Sequence, residues 1–146
     1  EEVLVAHNQL LKKGEDIQLY IAGEIDNGNR SSINKKFIKE INQNKNIFFL
    51  GHRSDMREVF SNSDIVVLPS WREGLSKSLI EAGSMEKPII TTDTPGCRNI
   101  IDHGINGLLV PIKDPKALEL AILFFIKNKI IAKNFGKNLR LKVQKK

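Results

Sequence analysis

Hydrophobic and polar positions along this chain switch repeatedly between a helical and a strand-like spacing. Apolar residues recur at helical spacing over residues 3–11, and the pattern ends near Gly14, which suits the left-handed turn after a helix. A short apolar run at 17–21 follows and predicts a buried strand. The first predicted unit is therefore a helix that leads into a strand.

The same alternation continues along the rest of the sequence. It predicts helices over 31–41, 55–60 and 76–85, and strands over 47–50, 65–68, 89–92 and 107–110. A further helix starts at Asp114, a capping residue followed by proline at the first helical position. The last predicted helix runs through Ile131, Phe135, Leu139 and Val143, whose apolar side chains are expected to be buried, against a part of the protein outside this chain. Strands separated by helices imply a parallel sheet, so we predict an α/β fold, a Rossmann-like doubly wound parallel sheet.

The length of the chain fits one lobe of this kind. Its 146 residues are enough for a single core, and residues 1–146 are predicted to form one domain. A doubly wound lobe normally opens on a strand with a phosphate-binding turn. Because this sequence opens on a helical pattern, we expect the first strand of the lobe to lie upstream of Glu1.

Composition and charge narrow the class of protein. Apolar residues make up 40% and charged residues 27%, the balance of a soluble globular protein. Residues 127–146 carry eight basic and no acidic residues, whereas residues 1–126 carry 15 basic and 17 acidic residues. The positive charge therefore belongs to the terminal helix and does not indicate a general nucleic-acid-binding surface. For that helix two interpretations stay open, a solvated face or peripheral contact with an anionic membrane.

Three further features favour a cytoplasmic protein. The apolar stretch 117–126 contains Glu119 and is about half as long as a membrane-spanning helix, so it predicts a core helix. A basic and then apolar leader is not found before the first helical pattern. The single cysteine, Cys97, has no partner for an internal disulfide and no companion metal ligands.

The segment richest in chemistry lies at 69–81, Pro-Ser-Trp-Arg-Glu-Gly-Leu-Ser-Lys-Ser-Leu-Ile-Glu. It leaves the carboxyl end of a predicted strand, crosses a loop and enters a predicted helix, which is the edge where open α/β sheets bind ligands. Gly74 allows the backbone to approach a ligand closely. Ser76, Lys77 and Ser78 would present free N–H groups at the helix start, where the helix dipole favours an anion such as a diphosphate.

Two carboxylates flank that predicted anion site. Glu73 precedes the helix and Glu81 lies about five residues inside it. At a rise of about 1.5 Å per residue, the two carboxylates stand on either side of the anion site. A nucleotide sugar has a matching layout, because a diphosphate separates its hexose from its ribose and both sugars offer hydroxyl pairs. Charge-assisted hydrogen bonds from such hydroxyls are worth about 1.5 to 3 kcal/mol each, enough to orient the ligand.

The segment resembles the E-x7-E motif of retaining glycosyltransferases of the two-lobed GT-B type, in particular family 4, which builds bacterial surface polysaccharides, glycolipids and glycoproteins. The resemblance covers nearly the whole chain. Residues 47–70, with Phe-Leu-Gly-His-Arg-Ser-Asp at 49–55, look like the base-binding stretch of the family. Residues 87–98 and 104–111 look like the strands and loops that follow the motif.

The resemblance implies a role for each matching residue. Glu73 would contact hydroxyls of the donor sugar as the catalytic residue, and Glu81 would bind the ribose. The backbone near His52 and Arg53 would read the base, and the diphosphate would be held by Gly74, Leu75, Ser76, Lys77 and Ser78. The co-substrate would be a nucleotide diphosphate sugar, UDP-linked, with neither a metal nor another cofactor. Lys77 is an extra cation for the departing diphosphate.

The resemblance also implies what lies outside this chain. An acceptor lobe would precede it and receive a sugar or lipid-linked acceptor, and an Arg and a Lys upstream of Glu1 would complete the phosphate site. By itself the chain would then bind a UDP-sugar weakly and transfer no hexosyl group. The family also commonly closes the motif helix with a glycine, and this sequence has Glu86 there instead.

Two other functions remain as alternatives. One is the lobe of a GT-B nucleotide-sugar epimerase, and the other is a non-catalytic binding module with a flavodoxin-like sheet. We interpret His7 and His103 as surface or loop residues, and Trp71 as a packing residue. Asp93 and Asp102 are not surrounded by further ligands in the sequence, so no metal site is predicted.

Overall fold

The computed structural model describes residues 1–23, 35–69 and 77–145. Within these ranges helices and strands alternate, as the sequence predicts. In chain order the elements are α1 (Glu2–Lys12), β1 (Leu19–Ala22), α2 (Lys35–Gln43), β2 (Ile47–Gly51), α3 (Arg57–Ser61), β3 (Val66–Leu68), α4 (Lys77–Ser84), β4 (Ile89–Thr92), α5 (Pro95–Arg98), β5 (Leu108–Val110), α6 (Pro115–Lys127) and α7 (Lys129–Val143).

The described strands all pair in parallel. β1 pairs with β2, and β4 lies between β3 and β5 in a second sheet. β4 is buried along its whole length, as a central strand covered on both faces should be. The α/β class and the parallel pairing are thus confirmed. The sequence did not predict that the described strands form separate sheets of two and three strands.

Helices cover both faces of the three-stranded sheet. Ile89 and Ile90 are neighbours in β4 and therefore point to opposite faces. Ile89 packs in a core that includes Leu79 of α4 and Leu139 of α7. Ile90 packs in a second core with Leu10 of α1 and several residues of α6. Helices on both faces of a parallel sheet are the doubly wound arrangement that the sequence predicts.

Local signals locate most elements well. α1 ends as predicted, with Gly14 at a φ of 88°. Asp114 caps α6, because its Oδ1 accepts a hydrogen bond of 2.9 Å from the N–H of Ala117. α6 is a buried core helix, and a helix suited to crossing a bilayer is not found in the described part of the chain. Residues 31–34 and 76 of the predicted helices lie outside the described residues.

The prediction for the buried face of α7 is partly wrong. Leu139 and Val143 are buried, but Ile131 is 39% exposed. The buried face instead includes two small residues, Ala132 and Gly136, because α7 packs closely against the end of α4. The apolar side chains of α7 that were expected to need a partner outside this chain therefore find part of that partner in α4.

The interpretation of His7 as a surface or loop residue is wrong. His7 lies in α1 and is buried, and its Nε2 donates a hydrogen bond of 3.2 Å to the backbone oxygen of Ile17, just before β1. Its Nδ1 is also buried and lacks a hydrogen-bond partner among the described residues. Desolvation lowers the pKa of His7, although the bond to Ile17 acts in the opposite direction. His7 therefore fastens α1 to the strand that follows it, in its neutral form.

This arrangement predicts a pH-dependent stability. Because the folded state favours the neutral imidazole, the contribution of His7 is complete above its ordinary pKa of 6.5 and is lost as the pH falls through the lowered folded value. We expect the free energy of unfolding, measured by urea denaturation, to fall as the pH is lowered from neutral to below 6.5. His7→Gln keeps a donor and does not titrate, so it should flatten this dependence. An equally steep profile in the variant would contradict the assignment.

α4 ends in a left-handed turn built on Glu86. The N–H of Glu86 donates to the oxygen of Gly83, and the N–H of Lys87 donates to the oxygen of Ala82, the bond pattern of a Schellman motif. Glu86 has a φ of 60°, a conformation that favours glycine. The residue that departs from the family pattern thus still makes the helix end that a glycine would make. Its carboxylate pairs with Arg140 of α7 at 3.2 Å.

Glu86→Gly should therefore stabilise the fold. Glycine removes the strain of a left-handed residue, worth about 1 to 2 kcal/mol, and loses an exposed ion pair worth about 0 to 1 kcal/mol. We expect the free energy of unfolding to rise by about 1 kcal/mol in urea denaturation. Glu86→Gln is the matched control, because it removes the charge and keeps the strain. A destabilised glycine variant would mean that the ion pair outweighs the strain.

Candidate active site

The predicted site residues divide into a described and an undescribed group. Lys77, Ser78 and Glu81 lie in α4, and His52 and Arg53 follow β2. The remaining predicted site residues lie outside the described part of the chain; they are Glu73, Gly74, Leu75 and Ser76. Trp71 lies outside it as well. Their roles stay predictions.

Packing fixes which way α4 faces. Leu79, Ala82 and Gly83 form its buried side, where Gly83 lies directly against Leu139 of α7. A methyl group at Gly83 would lie 2.9 Å from the Cγ of Leu139, so the two helices approach closely at this point. This contact buries one side of α4 against α7, and the opposite side of α4 faces solvent.

The solvent side of α4 carries the two charged residues of the predicted site. The Lys77 side chain is 90% exposed and that of Glu81 is 41% exposed, with 3.8 Å between Lys77 Nζ and Glu81 Oε1. They are one turn apart on the same face, so a cation at the helix start lies beside a carboxylate inside the first two turns. An exposed pair of this kind contributes little to stability, and both side chains can reorient toward a ligand.

The backbone at the start of α4 is suited to an anion. Lys77 and Ser78 are the first two residues of a helix of eight residues, and the first N–H groups of a helix lack partners within it. The helix dipole adds positive potential at the same end. Lys77 adds a full positive charge, so the backbone and a side chain both favour an anion there.

His52 and Arg53 are placed at the carboxyl end of β2. They follow Gly51, which ends the strand with a φ of 70°, and both side chains are exposed. Gly51 also accepts a hydrogen bond of 2.8 Å from the N–H of Gly23, which follows β1. Both residues thus occupy a strand end, as predicted, on the sheet formed by β1 and β2.

A shallow crevice follows the carboxyl edge of the other sheet. Its lining includes Pro69 after β3, Thr92 at the end of β4, and Lys113 and Asp114 before α6. Pro69 is the first residue of the segment 69–81, so the crevice begins where the motif begins. The sequence pattern does not reveal that residues 113 and 114 share this edge, because they are far from the motif along the chain.

The loop after β4 is fixed by an ion pair at the same edge. Arg98 Nε donates to Asp93 Oδ1 at 2.5 Å, and this bond lowers the pKa of the Asp93 carboxyl. Asp102 pairs with Lys142 of α7 at 2.9 Å. In the ranges that the structure describes, groups of three or more His, Cys, Asp or Glu side chains placed to hold a metal are not found. Catalysis without a metal stays a prediction.

Known proteins resemble this chain over most or nearly all of its length. Residues 1–142 match the family model of the glycosyl transferases group 1. The chain is 29% identical over 145 residues to the capsular polysaccharide biosynthesis glycosyltransferase CapM of Staphylococcus aureus, covering 99% of this chain and 38% of CapM. It is 36% identical over 92 residues to the N,N'-diacetylbacillosaminyl-diphospho-undecaprenol alpha-1,3-N-acetylgalactosaminyltransferase of Campylobacter jejuni, covering 63% of this chain and 24% of that enzyme.

A solved structure shares the fold. HepE of Anabaena, crystallised in complex with UDP, superposes with a TM-score of 0.87 at 20% identity, over 99% of this chain and 40% of HepE. The chain thus spans well under half the length of these relatives. The match of the family model to residues 1–142, together with this likeness of fold, shows that the chain belongs to the glycosyl transferases group 1 family, whose structures have the GT-B fold.

Proposed function

We propose that this chain is the donor-binding lobe of a retaining glycosyltransferase of family 4 that uses a UDP-sugar. One observation carries the proposal: α4 presents Lys77 and Glu81 toward solvent, and Ser78 follows Lys77 at the start of this helix, whose other side packs against α7. The sequence motif, the family membership and the UDP bound to HepE, a protein of the same fold, support it.

Each part of the donor has a counterpart in this arrangement. The diphosphate binds the free N–H groups at the start of α4, with Lys77 beside it. Glu81 accepts hydrogen bonds from the ribose hydroxyls, and Glu73 accepts them from the transferred sugar. The base lies against the backbone near His52 and Arg53.

The reaction needs stabilisation of a leaving diphosphate. The bond between the anomeric carbon and the diphosphate oxygen breaks, and the oxygen of an acceptor hydroxyl forms a bond to the same face of that carbon. The proton of the hydroxyl passes to the departing diphosphate oxygen. The negative charge left on the diphosphate is stabilised by the helix dipole, which is in place before the reaction, and by Lys77, which turns toward the bound donor. Neither a metal nor another cofactor is required in this scheme.

We also propose that the chain is one lobe of a longer enzyme and lacks the first strand of its sheet. The support is the strand order. A doubly wound sheet commonly has the order 3-2-1-4-5-6. Removing strand 1 leaves a pair, 3-2, and a triplet, 4-5-6, which correspond to β2–β1 and β3–β4–β5. An upstream strand would join the two sheets, and an acceptor lobe would precede it.

The family relatives support an acceptor at a membrane. The name of the Campylobacter relative gives a sugar on diphospho-undecaprenol as its acceptor, and that of CapM gives capsular polysaccharide biosynthesis. We propose that the full-length protein acts in bacterial surface polysaccharide, lipopolysaccharide or glycan biosynthesis, in the cytoplasm at the inner face of the membrane.

A donor screen on the full-length protein tests the proposal. A UDP-sugar should raise the midpoint of thermal unfolding, because a ligand that binds only the folded state stabilises it. GDP- and ADP-sugars are the matched controls. The anomeric configuration of the product, read by NMR, should equal that of the donor. Inversion would refute a retaining mechanism, and a thermal shift with the GDP- or ADP-sugar alone would refute the choice of base.

The same samples separate the alternatives. An epimerase would isomerise the sugar of its donor without any acceptor. A non-catalytic module would show neither isomerisation of the donor sugar nor its transfer to sugar or lipid-linked acceptors that are added to the sample. Glu73→Gln should abolish transfer while the UDP-induced thermal shift remains, because Glu73 is proposed to contact the transferred sugar and not the nucleotide.

A further inference from the structure

The outer face of α7 carries exposed apolar and basic side chains together. At 3.6 residues per turn, Ile130, Lys137 and Leu141 line up along one side of the helix, with Lys133 beside them. Ile130 is 79% exposed and Leu141 is 60% exposed, and both lysines are exposed. Lys145 lies just beyond the helix end and is exposed as well. We call these five residues the outer face of α7.

The outer face of α7 is not needed to hold the fold together. Ala132, Leu139 and Val143 lie on the opposite side of the helix and are buried in the core. The two apolar residues of the outer face lie about 16 Å apart along the helix, from about 1.5 Å rise per residue. The lysines give this face its charge, and the two large aliphatic side chains among them give it an apolar component.

The charges of this face are available to a partner. Arg140 and Lys142 are bound to Glu86 and Asp102, at 3.2 and 2.9 Å, and fasten α7 to the body of the domain. Lys133, Lys137 and Lys145 make no ion pair with a residue in the described ranges. Acidic residues are absent from the sequence of residues 127–146, so negative charge does not offset these lysines along the helix.

We propose that the outer face of α7 is a docking surface for an anionic lipid bilayer. Its three lysines attract acidic headgroups, and Ile130 and Leu141 insert their side chains at the boundary between headgroups and acyl chains. Charge complementarity selects this partner, because the basic residues attract the negatively charged leaflet while the aliphatic residues gain by leaving water. The proposed function gives the reason for docking, a membrane-bound acceptor. The binding of the bilayer itself does not depend on that function.

Vesicle sedimentation of the full-length protein tests the proposal. The probes are phosphatidylcholine vesicles with about one third phosphatidylglycerol, against phosphatidylcholine alone. Each lysine near such a surface contributes about fivefold to partitioning, so Lys133→Gln, Lys137→Gln and Lys145→Gln together should weaken binding to the anionic vesicles about a hundredfold. Ile130→Ser with Leu141→Ser should weaken it about tenfold.

A matched control has the same charge change elsewhere. Lys12, Lys39 and Lys45 are exposed lysines outside α7, and their combined change to glutamine should alter vesicle binding by less than about threefold. Equal weakening in both triple variants would overturn the proposal, as would equal binding to neutral vesicles or absence of binding to anionic ones. An acidic protein would then be the partner to consider.

The UDP-induced thermal shift of every sample gives an independent reading. It should be unchanged in all variants, because the changed side chains lie outside the donor site. Vesicle binding without a UDP shift would refute the proposed function and leave the docking surface standing. A UDP shift without vesicle binding would refute the docking surface and leave the proposed function standing.

Discussion

Gly136→Ala is expected to lower the free energy of unfolding by about 3 kcal/mol or more, toward the upper end for an overpacked core. A methyl group on Gly136 would lie 2.0 Å from the backbone oxygen of Glu86 and 2.7 Å from its carbonyl carbon. A flexible side chain can move aside, but these are backbone atoms of the turn that ends α4. Alanine is the better helix former by about 1 kcal/mol, which is too little to offset the clash.

Urea denaturation measures this prediction. Asn134→Ala on the exposed side of α7 is the matched control, with an expected change of about 0.5 kcal/mol or less. A loss below about 1 kcal/mol for Gly136→Ala would show that the two helices separate without cost. Gly136 contacts the turn that ends α4, so a shift of this turn also moves α4. We therefore expect the folded variant itself to have a lower affinity for UDP.

Glu81→Gln is expected to weaken UDP binding by about tenfold to a hundredfold. The change removes the charge of a carboxylate that is proposed to accept hydrogen bonds from the ribose, worth about 1.5 to 3 kcal/mol. Glu81 is 41% exposed and lies outside the buried side of α4, so the stability of the fold should hardly change. The effect should therefore appear in the affinity and not in the urea midpoint.

Isothermal titration with UDP on the full-length protein measures the effect. Glu58→Gln is the matched control, because it is an exposed glutamate in α3 outside the proposed site, and it should leave the affinity unchanged. If Glu81→Gln bound UDP as tightly as the parent, the ribose role of Glu81 would be wrong. The non-catalytic binding module would then become the better explanation of this fold.

Local sequence signals predicted the parts of the fold that depend on local physics. The strand at 89–92 coincides with β4, because a run of four β-branched residues bounded by proline and aspartate strongly favours a strand. The cap at Asp114 was likewise predicted, since capping needs only the side chain and the next three residues. α5 was missed because a helix of four residues is too short to show a helical period.

Other features depend on which elements meet in space. The burial of His7 follows from its bond to Ile17, ten residues away, which no helical pattern reveals. The exposure of Ile131 follows from a buried face that uses Ala132 and Gly136, and small residues do not stand out in an apolar pattern. The ion pair between Lys13 and the buried Glu119, which joins α1 to α6, was also not predicted, because the two residues lie far apart in the sequence.

The candidate site shows the same division. The segment 69–81 was enough to predict that Lys77 and Glu81 lie on a helix after a strand end. Their common orientation toward solvent was not predictable, because it depends on the close contact of Gly83 with Leu139. The crevice residues Lys113 and Asp114 were also missed, since only the order of the parallel strands brings them to this edge.

The central claim is that the start of α4 binds the diphosphate of a nucleotide sugar. Its most direct measurement is a calorimetric titration of UDP, with uridine as the matched ligand without phosphates, into the folded full-length protein. The account predicts saturable binding of UDP at millimolar concentration or below, and much weaker binding of uridine. Absence of UDP binding at millimolar concentration, or equal affinity for uridine and UDP, would contradict it.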